Sequence, residues 1–256
     1  MTYYNRQSRK FAILDVEVLN AMEEYAAYRR IDPRAAELRW PFRRVCAASL
    51  LTFSVDENGH FEFGTFKSFA GADEGVLLKQ LFMLLRELPD HKLVTWGGQT
   101  FDLPVIRMGA CEHQLALPPQ LINGARRQGE WLHRDLALEV KGGAGPYIHL
   151  AEMAVRLHLP VKFGGSASMV PMLVKNKQWA RLAEIADSDA IVTGMVLASH
   201  LCAHGELTSA AAAHYVILDE VWKRREGSRY RDYVARIRKR IGKEMNASAQ
   251  AFIEAA

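Results

Sequence analysis

The segment FAILDVEVLN, residues 11–20, alternates like a β-strand bound for a core, yet carries two acids within its apolar run. Residues two apart in a strand share a face, so Asp15 and Glu17 project together on the side of Phe11 and Ile13. Like charges so close are unfavourable unless a cation lies between them. Paired carboxylates suit Mg²⁺ or Mn²⁺. Two solvated acids at a frayed strand end would give the same pattern.

The remaining sequence predicts an α/β fold. Alternation and helical periodicity predict, in chain order, strands at 44–56 and 60–69, a helix at 75–88, a strand at 92–96, and helices from 101, at 148–159 and from 177 onward. Residues 121–146 are predicted to be rich in loops. This order of elements is typical of an α/β sheet with helices packed on its faces. Three strands come first, a helix crosses over to a fourth strand, and helices follow.

Two further acids lie in unusual surroundings. Asp102 follows a short strand and two glycines and begins a helix. The helix dipole favours an acid there, but it does not explain the glycines. Asp189 lies on an apolar stripe of the helix predicted at 181–201, which is rare for an acid that is neither paired nor a ligand. Asp187 lies about 200° further around that helix, so we expect it to be solvated.

The order and spacing of these residues resemble the DEDD superfamily of 3′–5′ exonucleases, in the branch related to the proofreading domain of family B DNA polymerases. The resemblance rests on Asp-x-Glu in the first strand, GGQTFDLP after the fourth strand, and a late helical Asp. It extends to three lesser landmarks, which are His133–Leu136, Leu150–Ala154 and Leu157–Pro160. It covers roughly residues 10–205.

The resemblance implies a fold, a metal site and a substrate. The fold is an RNase H-like mixed sheet flanked by helices, forming an exonuclease domain over residues 1–205. The expected ligands of two Mg²⁺ or Mn²⁺ ions are four carboxylates: Asp15, Glu17, Asp102 and Asp189. The two ions would promote an in-line displacement at phosphorus that releases nucleoside 5′-monophosphates from 3′ ends of single-stranded DNA or RNA. Gly98 and Phe101 are expected to contact the nucleic acid.

The sequence departs from this superfamily where the attacking water is usually oriented. Members usually have a Tyr four residues before the last Asp or a His five before it; this chain has Ile185 and Glu184. Gly97 also stands where Asn is common. One hypothesis makes Glu184 the base, and the alternative is an exposed helical Glu near Arg181. Without a base the protein would be a slow enzyme or a catalytically inactive nucleic-acid-binding domain, and a protein-interaction subunit is a third alternative.

The last segment, residues 206–256, is predicted to be a basic helical tail. Residues 223–243 contain ten Lys or Arg and two acids, a net charge of +8, which leaves the rest near −4. An apolar stripe on this helix consists of Tyr230, Tyr233, Val234, Ile237 and Ile241. The stripe predicts docking on the body, on a second copy in a homodimer, or on a protein partner. The cations expected to contact phosphates are Arg229, Arg231, Arg236, Arg238 and Lys239.

The cysteines and the hydropathy pattern indicate a compartment. Cys46, Cys111 and Cys202 are scattered and form no CxxC motif, which favours a reducing environment. No uncharged apolar run approaches the roughly 18 residues of a membrane span. We therefore expect a cytoplasmic protein with no membrane segment.

Overall fold

A five-stranded mixed sheet forms the centre of the molecule. The computed structural model describes residues 8–255, and the side chains of residues 8–247. The strands are β1 (Arg9–Asn20), β2 (Arg43–Val55), β3 (Phe61–Ala70), β4 (His91–Thr95), the short hairpin β5 (Arg126–Arg127) and β6 (Glu130–Trp131), and β7 (His133–Asp135). The sheet order is β3-β2-β1-β4-β7, in which β2 is antiparallel to both of its neighbours and β1, β4 and β7 are parallel.

Helices cover both faces of this sheet. They are α1 (Met22–Ile31), α2 (Glu74–Arg86), α3 (Asp102–Glu112), α4 (Leu136–Lys141), α5 (Leu150–Arg156), α6 (Val170–Lys175), α7 (Trp179–Ala203), α8 (Ala210–Arg224) and α9 (Arg231–Ala255). The predicted fold class is therefore confirmed: a mixed sheet is flanked by helices and followed by a helical C-terminal part. The order of the four predicted strands is confirmed as well.

Some local predictions were wrong. Residues 121–146 were predicted to be loop-rich, but they contain the hairpin, β7 and α4. These elements have two to six residues each, too few to show a period. The helix predicted at 148–159 is shorter, because α5 ends at Arg156 and His158 adopts a φ of 57°.

The alternation of β1 sorts its side chains between two core layers. Phe11 and Ile13 pack in a cluster with residues of α7 and α8, whereas Ala12 and Leu14 pack in a second cluster with residues of α2 and α3. The strand is hydrophobic on both faces because helices cover both. Its acids at odd positions therefore face α7.

Helix α7 is the central helix of the first layer. Fifteen of its 25 residues are buried. Among the described residues it is the one helix long and apolar enough to cross a membrane, but 78% of its most apolar window is buried inside the fold. Its apolar surface is thus used to pack against β1 and β2.

The C-terminal helices pack on this same layer. Ile217 and Val221 of α8 and Val234 and Ile241 of α9 belong to the cluster that contains Phe11. Helices from both sides of residue 205 therefore share one core. The division into 1–205 and 206–256 remains a prediction, and residues 1–7 and 256 of those ranges lie outside the described part.

Candidate active site

Asp15 and Glu17 project from the central strand toward α7. Asp15 pairs with Ser49 of β2, and the register shifts just after Glu17, where Cys46 is an extra residue on β2. Glu17 is only 7% exposed, and Asp15 is partly buried. The predicted alternation is therefore present in the structure, and neither acid is at a frayed end.

Asp102 is placed by a tight turn between β4 and α3. Because β4 is parallel to β1, its end brings the chain to the same region as Asp15. The turn is held by Asp135, whose carboxylate accepts hydrogen bonds from the backbone N–H of Gly97 at 2.9 Å and of Gln99 at 3.0 Å. The same carboxylate caps α4. Asp135 is therefore a buried structural acid that orients the segment leading to Asp102.

The two glycines of this turn are required by close packing. Gly97 has a φ of +72°, and a β-carbon there would overlap the hydroxyl of Tyr147. A β-carbon on Gly98 would overlap Thr95, whose Oγ1 lies 2.9 Å from Nε2 of His133. Gly98 is buried. Gly98 serves the turn, and its contact with nucleic acid stays a prediction.

Asp189, from the middle of α7, meets the acids of β1. One carboxylate oxygen from each of Asp15, Glu17 and Asp189 lies within 4.8 Å of the others. Asp102 is not in that trio, but its charge raises the pKa of both Asp15 and Glu17. The structure thus brings together in one region the four acids that the sequence singled out.

Burial and mutual repulsion dominate the electrostatics of this cluster. Burial, and then the charges of Asp189 and Asp102, raise the pKa of Asp15 well above its usual value and that of Glu17 to about 8. Burial, followed by Asp135 and Asp189, raises the pKa of Asp102 to about 7. Burial also raises the pKa of Asp189. The group therefore holds protons to unusually high pH unless another cation replaces them.

Lys162 is the cation that acts on this cluster. Its charge lowers the pKa of Glu17 and of Asp189, opposing the effect of burial. It is an exposed residue in the loop after α5, with a φ of 42°. Sequence reasoning missed it, because a lone lysine in a loop carries no motif.

Glu184 and Ile185, the residues at the usual base positions, are both occupied elsewhere. Oε1 of Glu184 accepts a hydrogen bond from the backbone N–H of Arg229 at 2.9 Å. Ile185 is 1% exposed and packs in a third apolar cluster with Cys46 and Leu173. The hypothesis that Glu184 is a base gains no support from this arrangement.

Asp187 is buried, so the expectation that it is solvated was wrong. It is 2% exposed, and its carboxylate accepts hydrogen bonds from Ser49 at 2.8 Å, from Tyr230 at 2.9 Å and from Nε of Arg225 at 3.0 Å. It also accepts one from Ser68. Arg225 and Tyr230 come from a distant part of the chain, and they make burial of this charge possible.

The basic face of the tail is partly used by the fold. Arg231 and Arg238 both lie over the ring of Trp222, at 4.5 and 4.4 Å, and Arg238 also pairs with Asp219 at 2.5 Å. Two of the five predicted phosphate contacts are therefore already engaged within the fold, and their role in binding nucleic acid stays a prediction. The other three predicted cations are exposed, and they are Arg229, Arg236 and Lys239.

A second group of possible ligands is explained without a metal. Glu74, Glu112 and His113 lie close together, but Arg44 donates to both glutamates, at 3.4 and 2.8 Å. Glu74 also accepts a hydrogen bond from the backbone N–H of Val45 at 2.6 Å. The charges of this group are thus balanced within the chain.

One protein family matches most of the chain. It is described as predicted 3′–5′ exonucleases related to the exonuclease domain of PolB, and it matches residues 37–237. The chain belongs to this family. The match includes Asp102 and Asp189 but begins after Asp15 and Glu17, which the structure nevertheless brings beside Asp189. The family thus confirms the resemblance, and the chain is an exonuclease-type domain.

The similar solved structures come from larger proteins. The family B DNA polymerase of the archaeon Pyrobaculum calidifontis matches at TM-score 0.50 and 14% identity, over 76% of this chain and 24% of its own. E. coli exonuclease I in complex with a dT13 oligonucleotide matches at TM-score 0.43 and 12% identity. The match covers 75% of this chain and 40% of exonuclease I. The zinc-bound form of exonuclease I in complex with single-stranded DNA matches at TM-score 0.41 and 11% identity, over 85% of this chain and 43% of that one. The chain spans about a quarter of the polymerase and two-fifths of exonuclease I, and no curated protein matches. The polymerase likeness confirms the fold alone.

Proposed function

We propose that the protein is a metal-dependent 3′–5′ exonuclease that removes nucleoside 5′-monophosphates from the ends of single-stranded DNA or RNA. The observation that carries this proposal is the acid cluster, in which Asp15, Glu17 and Asp189 lie within 4.8 Å and Asp102 interacts with them. Burying these carboxylates is costly unless a ligand compensates the charge. Membership in the exonuclease family supplies the reaction class.

The residues present fit two small divalent cations. Every candidate ligand is a carboxylate oxygen, which is the donor preferred by Mg²⁺ and Mn²⁺. When bound, such ions activate water and stabilise charge on the attacking and leaving oxygens. Asp15, Glu17, Asp102 and Asp189 would hold them. The geometry supports this assignment because acids from β1 and α7 lie within 4.8 Å of one another and Asp102, from a third segment, acts on them.

The reaction follows from this arrangement. The oxygen of a water molecule forms a bond to the terminal phosphorus, and the bond from phosphorus to the 3′ oxygen of the preceding nucleotide breaks. The departing oxygen takes up a proton, and the water gives its proton to solvent. Phe101, 45% exposed and next to Asp102, is placed to stack on a base of the strand. Arg229, Arg236 and Lys239 are candidates for backbone phosphates.

End-labelled single-stranded oligonucleotide and Mn²⁺ test this proposal directly. We expect the wild type to give a ladder that shortens from the 3′ end. Asp15→Asn and Asp102→Asn should each abolish the ladder, because each removes a ligand charge. Asp90→Asn is the matched control, since Asp90 is an exposed acid before β4. Cleavage that persists in Asp15→Asn and Asp102→Asn at the wild-type rate would disprove the assignment.

A catalytically inactive nucleic-acid-binding domain is the second candidate function. The observation that favours it is the lack of a free polar group at Glu184 and Ile185, as described above. The same assay separates the two functions. An oligonucleotide that is retarded in a gel but remains intact with Mn²⁺ would establish the binding domain and exclude the enzyme.

A further inference from the structure

An efficient hydrolytic site has a polar group that holds the attacking water, and residues 184 and 185 of helix α7 do not provide one. On this helix Ile185 is buried in the apolar cluster, and Glu184 is bound to the backbone of Arg229. Glu184 lies about 140° around the helix from Asp189, so its side chain leaves on another side. A water-positioning group from another element would therefore complete the site.

Tyr147 places a hydroxyl over the turn that leads to Asp102. It lies in the segment that connects α4 to α5, and its hydroxyl occupies the space above Gly97 that a β-carbon would fill. Its electrostatic neighbours are Asp135, Asp102 and Asp15. Because its ring also contacts Phe101, the residue before Asp102, Tyr147 belongs to the same region as these acids.

The ring of Tyr147 is fixed, while its hydroxyl is free to bind a ligand. Phe101 packs edge-on against the ring at 5.3 Å between centroids, and His149 does so at 5.9 Å. Within residues 8–247, the hydroxyl has no hydrogen-bond partner among the contacts of the folded chain. Half-buried hydroxyls normally find a partner, so this one is available to a bound water or substrate.

We infer that Tyr147 is a catalytic residue whose hydroxyl hydrogen-bonds the attacking water and fixes it in line with the scissile phosphorus. The inference rests on the proposed nuclease function. Gly97 makes room for this hydroxyl, because any side chain at position 97 would displace it. Lys162 acts on Glu17 and Asp189 and is placed to offset negative charge. The hydroxyl of Ser188 is already engaged, because it donates to the Ile185 carbonyl at 2.9 Å and to Asp189 at 3.2 Å. The hydroxyl of Tyr147, which has no such partner, is therefore assigned to the water.

Tyr147→Phe tests this role, since it removes one oxygen and keeps the ring between Phe101 and His149. We expect kcat to fall roughly 10- to 100-fold, the effect of one hydrogen bond to a charged group. The KM for oligonucleotide should change less than about twofold, because a water contact contributes little to ground-state binding. The melting temperature and the affinity for Mn²⁺ alone, measured by titration calorimetry, should stay at wild-type values, because phenol is not among the predicted ligands.

Tyr215→Phe is the matched control, because Tyr215 packs against Gly242 of α9 and should tolerate loss of its hydroxyl with wild-type kinetics. A Tyr147→Phe enzyme within twofold of wild-type kcat would overturn the inference and leave the proposed nuclease intact. A loss of kcat accompanied by weaker Mn²⁺ binding or a lower melting temperature would also overturn it, since that indicates a structural role. An inactive wild type would overturn both proposals.

Discussion

Two aspartates on helix α7, two positions apart, have opposite environments. Asp187 accepts hydrogen bonds from Arg225 and Tyr230 and is 2% exposed, so its negative charge is compensated within the fold. Asp189 meets Asp15 and Glu17 instead, and burial raises its pKa. Asp187 therefore stabilises the protein, whereas burial of Asp189 costs stability, as is expected of the proposed metal ligand.

Replacing each of these aspartates with asparagine should separate the two roles. Asp187→Asn leaves Arg225 without its partner, and we expect a loss of about 2–4 kcal/mol in the free energy of unfolding. Asp189→Asn removes a repelling charge, so stability should be unchanged or higher while cleavage is lost. Urea unfolding and the oligonucleotide assay measure the two effects. Equal destabilisation by both substitutions would contradict this assignment.

At the scale of elements, the sequence predicts what depends on local pattern and misses what depends on distant partners. Alternation in β1 was sufficient to place Asp15 and Glu17 on one face, and the order of motifs led to Asp102 and Asp189. Asp187 was placed wrongly because its partners lie 38 and 43 residues further along the chain. The roles of Asp135, Lys162 and Tyr147 depend likewise on turns and loops that meet only in the folded chain.

The C-terminal helices show the same division between pattern and partner. The apolar stripe was predicted, and the structure docks it on the body through Tyr230, Val234 and Ile241. The predicted docking on a second copy or a protein partner would have to use other surfaces. The nucleic-acid role of the basic face stays a prediction, and the packing of Arg231 and Arg238 on Trp222 has no signal in the sequence.

Salt dependence should distinguish the exposed cations of the tail from the half-buried Arg231 and Arg238. Replacing Arg229, Arg236 and Lys239 together with Ala removes three exposed charges. We expect weaker binding of single-stranded oligonucleotide and a slope of log affinity against log salt that is shallower by about 2. Binding is measured with Ca²⁺ in place of Mn²⁺ to prevent cleavage.

The double variant of Arg231 and Arg238 to Ala is the control for this experiment. It removes two positive charges that contact Trp222, so its main effect should be a lower melting temperature with little change in the salt slope. If the slope of log affinity against log salt decreases more in the double variant than in the triple variant, Arg231 and Arg238 contact the strand.

At the scale of the whole molecule, the acid cluster should make stability depend on pH in an unusual direction. The folded pKa of Glu17 is about 8 and that of Asp102 about 7, whereas the ordinary values are 4.5 and 3.8. At pH values between the ordinary pKa and the folded pKa of each group, the folded state binds more protons than the unfolded state. Stability from these groups is therefore fully present below about pH 4 and is lost as pH rises toward 8.

We therefore expect the metal-free protein to lose more stability between pH 5.5 and pH 8 than a Glu17→Gln variant does. The substitution removes a carboxyl that must give up its proton in a buried, negatively charged site, so the variant should have a flatter profile of melting temperature against pH. Mn²⁺ replaces the same protons, and it should raise the wild-type melting temperature more at pH 8 than at pH 5.5. Scanning calorimetry of both proteins, with chelator and with Mn²⁺, measures these effects. Identical pH profiles, or an equal Mn²⁺ shift at both pH values, would mean that the carboxylates do not share one cation site.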